Sequence, residues 1–189
     1  MLAALFRTLG LGADAGTADE TETVSEIASV LSNVPPERAR LLAAFAYLLG
    51  RVAFADHQVS AGEQAAMEQR LATTGDVSAD QAHRLVNLAV KATGSHGAAE
   101  DYQVAREFES LASRDEKLQL LRALFIVSAQ HGITTVEDNE ISRIASALRL
   151  ERADVIALRH EFRDAINARQ HLQRSAAPRR GSPSEVEGE

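Results

Sequence analysis

The chain has 189 residues, 45% of them hydrophobic and 25% charged, which suits one well-buried domain with tails. Only 4% are aromatic and none is Trp, so the core must be built from Ala, Leu, Ile and Val; the absence of Cys excludes disulfides, thiolate metal ligands and a cysteine nucleophile. A net charge of −7 argues against nucleic acid or anionic lipid as a general partner and favours cations and basic partners.

Residues 1 to 11, MLAALFRTLGL, are apolar but interrupted by Arg7, and they lack the basic start and small-residue cleavage site of a signal peptide. They also fall short of the roughly 20 apolar residues of a membrane span. Leu2, Leu5, Phe6 and Leu9 recur at helical spacing, so this short amphipathic segment is the one place for membrane contact. A single Arg supplies little electrostatic attraction, however, and docking on the domain or disorder is the expectation. The Gly, Ala, Asp, Thr and Glu of residues 10 to 22 read as an acidic linker.

Folded structure is expected from about Val24. Val24, Ile27 and Leu31 form a brief stripe before Pro35 and Pro36, and Pro36 suits the first turn of a helix running to about Ala55. Leu41, Phe45, Leu48, Leu49 and Val52 share one face of that helix, and Leu42, Ala46, Ala53 and Phe54 widen it. So apolar a helix should be central. Further helices are predicted from Ser60 to about Leu71, stopped by Gly75, and from a Ser78–Gln81 capping box toward Gly94. Val104, Phe108 and Leu111 mark a shorter one; Leu118, Leu121, Leu124, Phe125 and Ser128 mark a counterpart of the central helix. Ile141, Ile144, Ala145 and Leu148 carry the next, and Val155, Leu158, Phe162 and Ile166 carry a last helix fading near Gln173. No stretch alternates at period two. The expected fold is all-α, a single-domain bundle of about seven or eight helices with an internal duplication of helical hairpins. Residues 1–22 form the apolar segment and linker, 23–173 the helical domain, and 174–189 a tail without apolar periodicity, expected to be disordered.

The duplication rests on one turn used twice. Residues 55–63 (ADHQVSAGE) return as 129–137 (AQHGITTVE), displaced throughout by 129 − 55 = 74 residues. Ser60 with Glu63 and Thr134 with Glu137 both have capping-box spacing, which alone accounts for the two glutamates. Capping leaves Asp56 unexplained, because a carboxylate at a helix C-terminus faces the negative end of the dipole. A divalent cation shared by Asp56 and Glu63 would offset that placement. The second copy has Gln130 instead of the acid, with Glu137, Asp138 and Glu140 nearby, so an asymmetric or single site follows. His57 and His131 are equivalent positions and, with Asp56, define the remote alternative of a metal-dependent hydrolase, although their spacing matches no standard zinc motif. No phosphate loop, dinucleotide fingerprint, zinc-protease helix, nucleophile elbow or EF-hand loop is present, which lowers the expectation of an enzyme.

At these residues the sequence resembles the TerB-like (tellurite-resistance protein B) family, whose repeated signature reads approximately Ala-Asp-Gly-x-Ile-x-x-x-Glu between two helices. The first copy matches with His57 at the usual glycine, the second with Gln130 in place of the acid, and Ile144 to Leu150 is similar to the family's stretch after the second motif. The resemblance covers about Pro36 to Phe162. It implies an all-helical duplicated fold, no enzymatic activity, and a weak divalent-metal site; carried over by position, that site takes Asp56, Glu63 and Glu137. Calcium, magnesium or manganese is expected there ahead of zinc. It further implies a protein partner and a place in membrane-associated or stress-response complexes, as in a tellurite-resistance-like response, and the location expected is cytoplasmic or peripheral to the membrane. The competing reading is a helical interaction module whose acidic turns only cap helices.

Overall fold

The computed structural model describes residues 29–93 and 98–167, with no strand among them. Seven α-helices and one 3-10 turn lie wholly within the described residues, in order: α1 Pro36–Ala53, α2 Ala61–Gly75, α3 Ala79–Thr93, α4 Ala98–Leu111, α5 Arg114–Ser128, the 3-10 turn Ala129–His131, α6 Thr135–Ala147 and α7 Arg152–Glu161; residues 29–30 and 163–167 are also helical. The expected first eleven residues, acidic linker and C-terminal tail lie outside the described residues, as do Val24 and Ile27.

Helix α1 is the centre. Pro36 occupies its first turn, and 13 of its 18 residues are buried, so it is apolar on nearly every side. Its alanines let neighbours approach closely, and it packs against α2, α3, α4, α5 and α6. A Cβ added at Gly50 would stand 3.4 Å from the Ala89 carbonyl carbon, so α1 and α3 meet nearly backbone to backbone. Helix α5 is the second hub, packed against α1, α2, α6 and α7. The rings of Phe125 and Phe162 stack 5.3 Å apart at 9° and seat the chain beyond α7 on α5. Ion pairs join the elements around the rim: Arg38–Glu116 at 2.6 Å links α1 to α5, Arg40–Glu107 links α1 to α4, and Arg122–Glu161 at 2.6 Å links α5 to α7.

The helix ends differ from expectation in instructive ways. Helix α1 stops at Ala53, two residues early, and α2 continues past Leu71 to Gly75. Gly75 packs closely on the core: a Cβ there would lie 2.7 Å from Leu42 Cδ2 and would require that buried side chain to shift. The left-handed residue that ends α2 is Asp76 (φ 52°), a residue type that tolerates this region. The Ser78–Gln81 box forms as expected, with both reciprocal bonds at 3.0–3.2 Å. A further box, Ser113 with Glu116, starts α5. Among the described residues no helix is long and apolar enough to cross a membrane.

Candidate functional site

The first turn is a chain of short-range bonds. Phe54 N–H donates to Gly50 O at 2.9 Å, Ala55 N–H to Val52 O at 3.0 Å and His57 N–H to Phe54 O at 2.9 Å. His57 is then left-handed (φ 65°), which explains why glycine is the usual residue in the motif and why His, enriched in this region, can replace it. Its ring is exposed and meets Phe54 edge-on at 5.6 Å. Asp56, partly buried, turns Oδ1 onto its own loop and accepts from Gln58 N–H at 3.2 Å. This Asx turn answers part of the placement problem without a metal.

We expect His57→Gly to stabilise the domain by about 0.5 kcal/mol: relief of a side chain in the left-handed region exceeds the entropy added to the unfolded chain. Urea unfolding measures it. A loss of stability instead would show that the Phe54 ring contact outweighs the backbone strain.

The second turn follows a different path. Helix α5 passes into the 3-10 turn, and the positive φ falls on Gly132 (85°), one residue later than the equivalent of His57. Gln130 donates from Nε2 to Ile126 O at 3.0 Å, closing a helix-end carbonyl. An aspartate cannot make that bond, since a carboxylate has no donor. The exchange of acid for amide thus has a local cause. His131's side chain lies outside the described residues, so the histidine pairing has no geometry here.

Both capping boxes form. Ser60 N–H and Oγ each donate to Glu63 Oε2 at 2.8 Å, and Glu63 N–H donates to Ser60 Oγ at 3.2 Å. Thr134 N–H donates to Glu137 Oε2 at 2.8 Å, and Glu137 N–H to Thr134 Oγ1 at 3.2 Å. Surface boxes leave their acids in water, but Glu63 and Glu137 are both 0% exposed. The two turns face each other, with α2 packed against α5 and the 3-10 turn and the α2 start so close that a Cβ at Gly62 would lie 3.7 Å from Gln130 Cβ. Burial raises the Glu137 carboxyl above the ordinary carboxylate range, the bonds from Thr134 and the nearby Ser128 hydroxyl oppose this, and the Glu63 charge raises it further. Glu137 Oε1 and Ser128 Oγ are buried without a hydrogen bond that meets bonding geometry.

The remaining acids of the second motif are engaged elsewhere. Asp138 accepts from Arg159 through Oδ2, and burial raises its carboxyl despite that cation. Glu140 lies 3.6 Å from Arg51 Nε and 3.2 Å from Arg143 Nη1. Glu63 and Glu137 are therefore brought together, whereas Asp56 bonds within its own loop; among the described residues no three His, Asp or Glu side chains stand together as a metal-ligand group. Ser128 belongs to the pair but is hard to find from sequence, because a serine at the end of an apolar helix carries no motif. Ser113–Glu116, by contrast, was available as a Ser-x-x-Glu pattern ahead of an apolar run.

These features define an all-helical domain in which two acid-headed helix starts meet in the interior. The model of the family described as tellurite resistance protein TerB matches residues 41–160, and the chain belongs to that all-helical family. No curated protein matches the chain, and neither does any solved structure.

Proposed function

We propose that this is a non-enzymatic TerB domain of the cytoplasm. It binds a hard divalent cation weakly at Glu63 and Glu137, with Asp56 as an outlying carboxylate, and acts through a protein partner in a stress or tellurite-resistance-like response. The observation that carries the reading is the convergence of two fully buried glutamates from the paired turns, with the Ser128 hydroxyl beside the Glu137 carboxylate and neither Ser128 Oγ nor Glu137 Oε1 in a hydrogen bond of good geometry. The donor set is all oxygen, which suits calcium, magnesium or manganese and is a poor match for zinc. Two carboxylates and a hydroxyl fall short of the 6–8 oxygens calcium prefers, so water completes the shell and affinity is low. Burial also means that a cation enters only when the turns part.

Calorimetric titration is expected to give a Kd of about 10⁻⁴ to 10⁻³ M for calcium or manganese, falling in strength at acid pH because the ion displaces a proton from Glu137. Glu137→Gln should abolish binding and Asp56→Asn weaken it. If no ion binds at millimolar concentration, or if Glu137→Gln leaves binding intact, the cation reading fails. The domain is then a helical interaction module, a reading favoured by the fact that both glutamates serve complete capping boxes.

A further inference from the structure

On the flank formed by α4 and α6 lies an open groove of about 800 Å3, away from the paired glutamates. Its apolar lining comes from Ala105, Ile144 and Ala147, with Tyr102, 60% exposed, beside them. Four guanidinium groups, those of Arg51, Arg106, Arg143 and Arg149, also line it, against two carboxylates, Asp101 and Glu140. The described lining residues therefore carry a net charge of 4 − 2 = +2 in a chain of net charge −7.

The acids are already committed. Asp101 accepts from Tyr47 Oη at 2.7 Å and from Arg51 Nε at 2.6 Å, and Glu140 serves Arg51 and Arg143. Arg106 pairs with Glu109 at 2.8 Å, but Lys117 shares that glutamate at 3.1 Å. Arg143 remains 75% exposed, and Arg149 is exposed, its charge acting at longer range on the same Glu109 that Arg106 and Lys117 already hold. Arg149 is also left-handed, with φ 54°, in a helix-ending motif where Arg149 N–H bonds Ser146 O and Leu150 N–H bonds Ala145 O. Glycine is the usual residue there. The helix dipole favours a cation in the last turn of α6, but any last-turn position would satisfy it. An arginine at the strained position instead holds a guanidinium beside the groove.

We infer that this groove seats a short acidic segment of a protein partner, two carboxylates on Arg143 and Arg149 with an apolar side chain between them against Tyr102 and Ile144. Guanidinium forks match carboxylates in geometry, and the apolar lining gives the intervening side chain a place to bury. A residual charge of two is too small to bind a polyanion such as nucleic acid against the chain's overall repulsion. The inference rests on the partner half of the proposed function and is independent of the cation half.

The test uses the full chain, ¹⁵N-labelled, and a fluorescein-labelled octapeptide of alternating glutamate and leucine. Anisotropy at low salt is expected to give a Kd of about 10–100 µM, with amide shifts centred on residues 101–106 and 140–149. Arg143→Glu and Arg149→Glu should each weaken binding at least about 5-fold. Arg149→Gly should weaken it similarly while raising the melting temperature by about 2 °C, a combination that a purely structural arginine would not produce. The inference falls if the peptide does not bind, if a glutamine version binds equally, if tripolyphosphate binds the groove more tightly, or if Arg149→Gly binds like the parent. Shifts centred on another face also overturn it, while leaving the partner function standing.

Discussion

Phe108→Ala is expected to lower stability by about 3–5 kcal/mol, and with it the melting temperature by roughly 10 °C. Phe108 is 0% exposed on α4, and its ring lies 6.1 Å from that of Phe45 on α1 at a tilted 51°. With six phenylalanines and no Trp in the chain, few other side chains carry comparable apolar area. The core around it is alanine-rich helix, and alanines cannot rotate into a void, so most of the cavity should persist. Helix α4 is also held to α1 by the Arg40–Glu107 pair and the Tyr47–Asp101–Arg51 bonds, which limit its collapse toward the gap. Urea unfolding of the variant measures the loss. A loss under about 1.5 kcal/mol would mean that α4 relaxes freely, and Phe108→Leu should then be nearly silent.

How much of this was legible beforehand depends on the range over which each feature is decided. Helix α1 was readable because its apolar residues repeat at 3.6 and because Pro36 marks its start. The capping glutamates were readable because a Ser or Thr three residues before a Glu is a contact within one turn. The position of the left-handed residue was less legible. The repeat aligns His57 with His131, yet the second turn places its positive φ at Gly132, since Gln130 holds the end of α5 through Ile126. The meeting of Glu63 with Glu137 is decided by how α2 packs on α5 and the 3-10 turn, a relation between residues 74 apart (137 − 63) that no local pattern encodes. Asp138 and Glu140 looked like extra oxygens for one site because they are close in sequence. On a helix they point to different sides, and arginines from α7 and α1 take them. The groove of α4 and α6 was invisible for the same reason: its four arginines come from α1, α4, α6 and the turn that ends α6, and share no motif.

Glu137 separates the roles of cap and charge. Glu137→Ala should lose about 2 kcal/mol at pH 7.5, because the buried Thr134 N–H is left without its acceptor. Glu137→Gln keeps an oxygen for that bond, removes a buried charge and offers an amide donor toward Glu63, so it should match or exceed the parent by up to about 1 kcal/mol. The pH dependence follows from the direction of the shift. Glu137 in the folded state holds its proton more tightly than in the unfolded chain, whose carboxyl titrates near its model value of 4.5. Its stabilising contribution is therefore full below that value and is lost as pH rises through the raised folded pKa. Acidifying from neutrality into that window should increase the stability of the parent relative to Glu137→Gln. Asp138 is shifted the same way and contributes equally to both proteins, whereas Glu109 and Glu116 are shifted down and lose their contributions only as pH falls below about 4.5. The facing of the two glutamates has its own signature in a double-mutant cycle. If Glu63 repels Glu137, Glu63→Gln and Glu137→Gln each relieve the same repulsion, so the double variant should gain less than the sum of the two by about 0.5–1 kcal/mol at pH 7.5. That shortfall should vanish near pH 4.5, where the protonated Glu137 no longer feels its neighbour; strict additivity at both pH values would mean that the two helix starts do not share one electrostatic site.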